Sequence, residues 1–432
     1  VSDKIYNNFQ TYPSLTEFID TREGLITGNN DLFMRYWHEV NFEKIGFNYK
    51  NIEDTSNGTH AWFPYLKGGK KPRRWYGNFE YIVNWHKNGE LLKNFKDEDT
   101  GRIRSHNYNG EFAFKKGFTW CAISGGFKVR SVSSGFKFDG KGPMGFSKNP
   151  EQFLPILGLL NSKVSTAILE ILAPNLDFRL GNILNLPFKK DIPKFKNSTI
   201  ERLIKISKSD WDSYETSWDF CDSPLLKIKK DSQKLTETYD SLRKIWQLNT
   251  DEMLELEESN NKVFIEAYGL QDELSPNISI NEISLKSNPR NRYREKNNQE
   301  VQEVQEVQEV QEDKLKSDTL KEFISYSVGC MFGRYSLEEP GLIITNEGIN
   351  LEDFLKRFPN PLFKPDDDNI IPIFNLDWFE DDITARFKKF LRITFGDDNF
   401  EENLRFIETS IGKDIRKYFL SDFYKDHKQT YK

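Results

Sequence analysis

The residues best suited to chemistry lie in the segment KGGKKPRRWYG, from Lys67 to Gly77, which combines adjacent glycines with cations and aromatic rings. A nucleotide P-loop needs a glycine five residues before its Gly-Lys pair and a hydroxyl after the lysine, whereas Pro64 and Lys71 occupy those positions here. The chemistry that remains is contact with nucleic-acid phosphates and stacking on a base or sugar. A basic hairpin tip above core aromatics is the open alternative. The cations are Lys67, Lys70, Lys71, Arg73 and Arg74, and the rings belong to Trp75 and Tyr76.

A second candidate is the polar turn GNNDLFMR, in which Asn29 and Asn30 follow Gly28 and precede Arg35. Side-chain amides pair well with adenine in the major groove, so these asparagines could read a base edge. Asparagine is equally suited to a turn or to a helix N-cap, and this bland interpretation stays open.

The third candidate is KKGFTWCAISGGFKVR, which spans residues 115–130 and ends at Arg130. Thr119 and Trp120 are adjacent, so on a strand they must point to opposite faces. We therefore expect one of them to be core while the other meets a ligand. An ordinary strand with one solvated face is the alternative.

The sequence contains no recognisable motif for metal binding or for nucleophilic catalysis. The three cysteines, Cys121, Cys221 and Cys330, are about a hundred residues apart and form no metal-ligand spacing. The acidic runs 366–368 and 380–382 have no histidine nearby, and we expect them to be solvated helix caps. HExxH and GxSxG motifs are missing, so we predict no metal and no catalytic residue in this chain.

Charge is distributed unevenly along the 432 residues. Residues 1–190 hold 26 Lys and Arg against 19 Asp and Glu, a balance of +7. The remainder holds 61 − 26 = 35 against 67 − 19 = 48, a balance of −13. A basic first part predicts a polyanion-binding surface there. Sparse thiols, the polar start VSDKIYNNFQ and the lack of an apolar run of about 20 residues favour a cytoplasmic protein that does not enter a membrane.

The secondary structure predicted around these side chains is that of an α+β protein. Residues 1–195 read as a mixed or antiparallel β-rich domain, with a hairpin signal at Asn88-Gly89 and one core-facing helix over 153–169. A mainly helical region follows, as a helical segment over 196–275 and a helical C-terminal domain over 319–432. Between them, residues 276–318 are a low-complexity linker containing EVQEVQEVQEVQE. Its three-residue period winds the valines around a helix, which favours an exposed, partly helical or disordered segment.

Several segments, taken in order, resemble one known family, the PglX-type adenine-specific DNA methyltransferases of BREX phage-defence systems. The first five resemble the target-recognition region of that family, and the last three resemble its C-terminal region. They are 24–37 (GLITGNNDLFMRYW), 62–78 (WFPYLKGG with RRWYGN), 117–120 (GFTW), 160–164 (LNSKV), 176–183 (LDFRLGNI), 323–335, 369–373 and 412–419.

The resemblance implies a DNA-binding specificity portion of a site-specific N6-adenine methyltransferase. Such enzymes grip the flipped adenine with an (Asn/Asp)-Pro-Pro-(Tyr/Phe) turn, whereas this chain contains no Pro-Pro pair. We therefore expect the chain alone to be inactive, with S-adenosylmethionine bound by a catalytic domain that lies before Val1. By the same resemblance, the basic segment holds phosphates, Asn29, Asn30 and Arg35 lie near bases, and Trp75, Tyr76, Thr119, Trp120 and Arg130 shape the cleft.

The expected partners are double-stranded DNA, the methyltransferase catalytic domain and other defence-system proteins. An alternative is a non-catalytic interaction subunit of a defence complex, whose acidic helical part docks onto other subunits. A nuclease is a weaker alternative, because no paired-carboxylate and lysine site is recognisable.

Overall fold

The computed structural model divides the chain into two compact units. Unit 1 comprises Val1–Ser209 and Asp251–Ser284, and unit 2 comprises Asp210–Thr250 and Leu285–Lys432. All strands found in the described residues belong to unit 1, while unit 2 is helical, so the predicted α+β class is confirmed. The residues described are 2–68, 72–230, 234–294, 305–344, 346, 348–376 and 379–431.

Unit 1 is built on two four-stranded sheets with the orders β1-β10-β7-β8 and β3-β5-β4-β9 and on a two-stranded β2-β6 pair. All neighbours pair antiparallel except β4 and β9, which run parallel. The parallel pair brings the C-terminal ends of β4 and β9 to the same edge. The strands are β1 (Ile19–Arg22), β2 (Leu25–Ile26), β3 (Met34–Tyr36), β4 (Trp62–Leu66), β5 (Tyr81–Asn84), β6 (His106–Asn107), β7 (Gly117–Trp120), β8 (Val129–Val132), β9 (Lys137–Phe138) and β10 (Met144–Ser147).

The helices are short in the β-rich part and longer after it. They are α1 (Asp3–Thr11), α2 (Asn30–Phe33), α3 (His86–Lys93), α4 (Phe153–Leu160), α5 (Lys163–Leu172), α6 (Leu180–Leu184), α7 (Asn197–Trp211), α8 (Pro224–Ile228), α9 (Leu235–Ala267), α10 (Pro289–Arg292), α11 (Gln305–Met331), α12 (Leu351–Arg357), α13 (Ile383–Phe395), α14 (Phe400–Ile411), α15 (Ile415–Ser421) and α16 (Phe423–Tyr431).

Two local predictions differ from the structure. The Asn88-Gly89 signal does not close a hairpin, because Lys87, Asn88 and Gly89 form a left-handed turn within the first half of α3. The helix expected over 153–169 is two helices bent by 72°. Asn161 is the C-cap of the first helix, and Ser162 caps the second by accepting a hydrogen bond from the backbone N of Ser165.

The bend between α4 and α5 fastens these helices to the first sheet. The Asn161 amide accepts from the backbone N of Val129 at 3.0 Å and donates to the carbonyl O of Val129 at 3.0 Å. This amide imitates a further strand partner for β8, and the pair is buried. A polar residue in an apolar helical pattern thereby fixes the register between helix and sheet.

Unit 2 has an aromatic core in which α11, α13, α14 and α15 meet, and Phe323, Phe387, Phe390 and Tyr418 are buried there. The acidic runs were expected to be solvated, yet Asp382 is fully buried at the start of α13. It accepts from the backbone N of Ala385 at 2.7 Å and pairs with Arg416 at 2.6 Å. The sequence predicts a helix cap in this run. Its burial depends on Arg416, which lies too far along the chain for a local pattern to place it beside Asp382.

The part of the EVQ repeat before Gln305 lies outside the described residues, and the rest forms the start of α11. Val307 and Val310 are exposed there, while Glu312 pairs with Arg243 at 2.6 Å. Within the described residues no single helix has the length and apolar composition of a membrane span, although Pro150–Leu160 and Lys163–Leu172 meet both criteria when taken together.

Candidate nucleic-acid interface

The turn after β9, residues 139–142, is the centre of the candidate site. The Asp139 carboxylate accepts from Nζ of Lys67 at 2.8 Å and from the backbone N of Lys141 at 2.7 Å. The backbone N of Asp139 also donates to the carbonyl O of Leu66 at 3.0 Å. A Cβ on Gly68 would lie 2.8 Å from the carbonyl O of Lys141, so only glycine lets the two loops approach this closely. Lys67 and Lys141 are therefore held on one edge of unit 1.

The loop carrying Asn29 and Asn30 reaches the same turn. Leu25 forms a parallel bridge with Asp139, and a Cβ on Gly24 would lie 1.9 Å from the carbonyl O of Phe138. Asn29 Oδ1 accepts from the backbone N of Leu32 at 3.1 Å, and Asn30 Oδ1 accepts from the hydroxyl of Thr27 at 2.7 Å. The amide oxygens thus shape the loop, and the Asn30 side chain is exposed beside it.

The loops 121–126 and 177–180 form a further side of the same surface. The backbone N of Ala122 donates to the carbonyl O of Lys141 at 3.3 Å, and that of Phe178 donates to the carbonyl O of Ala122 at 2.7 Å. We call the assembled loops 23–30, 67–68, 121–126, 139–143 and 177–180 the loop end of unit 1. A cleft of about 270 Å³ opens there, lined in part by Glu23, Ile123, Lys141, Pro143 and Arg179.

The loop end mixes both signs of charge. Lys67 is paired with Asp139, and the exposed Arg179 is paired with Asp177 at 2.7 Å. Lys141 is exposed and lines the cleft together with Glu23. Carboxylates therefore hold two of these cations in position instead of leaving an unbroken positive patch. Lys70 and Lys71, which follow Gly68 and Gly69 in the sequence, lie outside the described residues.

Thr119 and Trp120 support two walls of the cleft through hydrogen bonds from their buried side chains. The Thr119 hydroxyl donates to the carbonyl O of Pro143 at 2.9 Å, and Trp120 Nε1 donates to that of Phe178 at 2.9 Å. Both side chains are fully buried, so neither meets a ligand directly, contrary to the expectation for one of them. The reason is that β7 is an inner strand with both faces covered.

The end of the basic segment is buried, and we call Arg73, Arg74 and Trp75 the anchor. Arg74 pairs with the carboxylate of Glu257 at 2.7 Å, and Trp75 Nε1 donates to the other oxygen of that carboxylate at 2.8 Å. Arg73 donates to the carbonyl O of Ser207 at 3.2 Å. Glu257 lies on α9 and Ser207 on α7, so the anchor fastens these helices to the sheets of unit 1.

The anchor corrects the phosphate-contacting role expected of two arginines. The side chain of Arg74 is only 13% exposed, and Arg73 and Trp75 are buried. A guanidinium that already satisfies a buried carboxylate is not presented to a phosphate in this arrangement. Tyr76 belongs with the anchor as well, because Nζ of Lys208 donates to its hydroxyl at 3.3 Å and lies over its ring.

Arg130 is a second buried cation beside the anchor. Its Nη1 donates to Asn78 Oδ1 at 2.8 Å, and the same oxygen accepts from the backbone N of Arg73 at 3.1 Å. Burial lowers the pKa of the Arg130 guanidinium, and the neighbouring Arg73 charge lowers it further, whereas Cys121 and Glu80 raise it. Its place in the interior is that of a structural residue, and its cleft-shaping role stays a prediction.

Arg35 lies beside the end of the asparagine loop, where its Nη1 donates to the carbonyl O of Asp31, but not at the 139–142 turn. It lies on β3, the edge strand on the side of the sheet away from β9, and its Nη1 donates to the carbonyl O of Met34 at 2.7 Å. A separate concavity of about 700 Å³ lies near the start of β4 and the end of β5, lined in part by Lys44, Asn84 and His86. Among the described residues no group of three His, Cys, Asp or Glu side chains could hold a metal ion.

Sequence reasoning missed the residues that organise the site. Asp139 and Lys141 lie in FDGKG, where the alternation of glycines with polar residues signals a tight turn, but nothing local connects that turn to Lys67. Glu257 lies in a helix full of acids, about 180 residues from its partner Arg74, and only the tertiary fold singles it out.

Two curated proteins resemble nearly the whole chain. It is 39% identical over 432 residues to the adenine-specific methyltransferase PglX of Lacticaseibacillus casei (strain Zhang), covering 96% of this chain and 33% of that protein. It is 32% identical over 456 residues to the adenine-specific methyltransferase BrxX of Escherichia coli O9:H4 (strain HS), covering 99% of this chain and 34% of that protein. The chain thus spans about a third of the length of these relatives. No family model matches it.

Proposed function

We propose that this chain, a homologue of about one third of the adenine-specific methyltransferases PglX and BrxX, is the DNA-recognising portion of a site-specific N6-adenine DNA methyltransferase of a phage-defence system. Its resemblance to PglX-type methyltransferases is confirmed, and DNA recognition is our inference from the loop end. We place its action in the cytoplasm, on duplex DNA and together with other proteins of the system.

The observation that carries this proposal is the meeting of distant segments at the loop end. Lys67 pairs with Asp139 in the 139–142 turn, and the loop 23–30, which ends in Asn29 and Asn30, contacts that turn at Leu25. The loop that bears Arg179 reaches the turn through Ala122. Amides and cations on loops supported by rigid sheets are suited to reading base edges while contacting phosphates. Protein–DNA interfaces generally combine these two kinds of contact.

Within this proposal the predicted residues take different roles. Lys67, Lys141 and Arg179 contact phosphates, together with Lys70 and Lys71, and the two asparagines lie near bases. Thr119 and Trp120 position the cleft walls, while the anchor and Arg130 stabilise the unit that bears them. A base-contacting role for Arg35 stays a prediction, since its strand lies on the other side of the sheet.

The methyl-transfer chemistry belongs to the part of the relatives that this chain does not match. The three Asn-Pro steps of this sequence all lack a second proline, so no residue here fits the turn that grips a flipped adenine. We therefore assign S-adenosylmethionine to that other part and give this chain's residues no step in the transfer.

Duplex binding as a function of salt tests the proposal. We expect labelled duplex DNA to bind the chain, with an affinity that falls steeply between about 50 and 200 mM salt because counterions are released from the phosphates. Fluorescence anisotropy measures both quantities. An absence of binding throughout that range, or an affinity independent of salt, would contradict DNA recognition by this chain.

A further inference from the structure

Unit 2 exposes three large apolar side chains on an irregular segment, residues 370–376, where they recur at every third position. Ile370 is 69% exposed, Ile373 is 47% exposed and Leu376 is 51% exposed. We call these three side chains the apolar ridge.

The ridge is held firmly against the core of unit 2. Ile371 packs against the aromatic core from the opposite side of the segment, and the backbone N of Ile383 donates to the carbonyl O of Pro372 at 3.0 Å. Arg416 Nη1 donates to the carbonyl O of Phe374 at 2.8 Å and pairs with the buried Asp382. The exposure of the ridge therefore belongs to an ordered segment whose backbone is hydrogen-bonded.

The net charge at both ends of the ridge is negative. Asp368 is exposed before it, beside Asp367, which pairs with Lys364, and Glu380 and Asp381 are exposed after it. Such a surface repels a polyanion, which sets it apart from the loop end. An apolar strip between carboxylates is complementary to an apolar groove with a rim of lysine or arginine.

We propose that the apolar ridge docks against the remaining part of the PglX-type methyltransferase, in a groove of that chemistry. The chain covers only 33% of the L. casei relative and 34% of the E. coli relative, so two thirds of such an enzyme has to be joined to this portion. Interfaces between domains of one polypeptide bury moderately apolar surface, and an ordered, exposed apolar strip is suited to that use. This inference does not depend on DNA binding by the loop end.

Cysteine accessibility tests the docking. Ile373→Cys is made in a Cys221→Ser background, because Cys221 is the exposed native thiol among the described cysteines. Maleimide labelling is timed in the isolated chain and in a full-length L. casei PglX whose matched third is replaced by this chain. Leu248→Cys, which replaces a side chain of unit 2 that is 69% exposed, is the matched control.

We expect labelling of the Ile373→Cys variant to be slowed by about tenfold or more in the full-length polypeptide, the change that about 1.4 kcal/mol of protection produces. Labelling at position 248 should have the same rate in both. Equal rates at position 373 would overturn the proposal. Slowing that depends on the concentration of the isolated chain would assign the ridge to a second copy, and slowing by added duplex would assign it to DNA, and either result also overturns the proposal.

Discussion

The anchor and Lys67 of the loop end belong to one basic stretch of sequence but have different environments. Lys67 is partly exposed beside Asp139, whereas Arg74, seven residues later, is enclosed with Glu257. Both cations are paired with a carboxylate, but only the first pair borders a solvent-exposed cleft. The difference shows that a cluster of cations is not one functional unit, because each charge is assigned by the partner that the fold brings to it.

The comparison predicts that substitutions in the anchor and in the loop end affect different properties. Changes in the anchor should alter the free energy of unfolding of unit 1, and changes in the loop end should alter DNA binding with a smaller effect on stability. The substitutions below separate the two, in order of decreasing effect on stability.

Removing the Glu257 carboxylate, which binds the anchor, has the largest expected effect on the free energy of unfolding. Glu257→Ala leaves the buried Arg74 guanidinium with only the more distant Glu282 as a counter-charge and deprives Trp75 Nε1 of its acceptor, so unfolding should become easier by about 3–5 kcal/mol. Urea denaturation measures the change. Glu282→Ala is the matched control, since Glu282 approaches the same arginine at 3.6 Å but is 40% exposed, and its loss should cost less than about 1 kcal/mol. Equal destabilisation by the two would show that the anchor is not a structural pair.

Thr119→Val tests the support behind the cleft. The substitution keeps the shape of the buried side chain but leaves the carbonyl O of Pro143 without this donor, so we expect a loss of about 1–3 kcal/mol. Because Pro143 lines the cleft, duplex affinity should fall in a sample that is still folded. Unchanged affinity in a destabilised but folded variant would separate Thr119 from the cleft.

Asp139→Asn changes the loop end with a smaller effect on stability. Asparagine can still accept the hydrogen bond from the backbone N of Lys141, while the charge that pairs with Lys67 is lost. The pair is only 24% and 12% exposed, so the cost in stability should be about 1–2 kcal/mol, more than an exposed ion pair contributes. Duplex binding at low salt should tighten, because the loop end gains one positive charge. Weaker binding in a folded variant would mean that Asp139 contacts the DNA itself.

Local patterns were sufficient for part of the fold and of the site. The α+β class follows from the change in periodicity along the chain, and Asn29 serves as the N-cap of α2 that its residue type allows. These features depend on neighbours in sequence, which is why the sequence predicts them.

Long-range partners account for what the sequence could not predict. Burial of Arg73 and Arg74 depends on Ser207 and Glu257, which lie on helices far along the chain. Burial of both Thr119 and Trp120 depends on the inner position of β7 in its sheet, and alternation along a strand cannot distinguish an inner strand from an exposed one.

The most direct test of DNA recognition by the loop end compares the salt dependence of two charge-matched triple variants. One carries Lys67→Ala, Lys141→Ala and Arg179→Ala at the loop end. The other carries Lys4→Ala, Lys194→Ala and Arg202→Ala, which remove cations from exposed ion pairs elsewhere in unit 1. The control pairs are exposed and contribute little to stability, whereas the Lys67–Asp139 pair is partly buried, so the loop-end variant should be less stable by about 1–2 kcal/mol and still folded.

Anisotropy titrations with one duplex give the slope of log affinity against log salt. We expect the slope of the loop-end variant to be shallower by about 2–3, since each phosphate contact contributes about 0.9, while the control variant keeps the slope of the unchanged chain. Equal slopes for the two variants would contradict DNA recognition by the loop end.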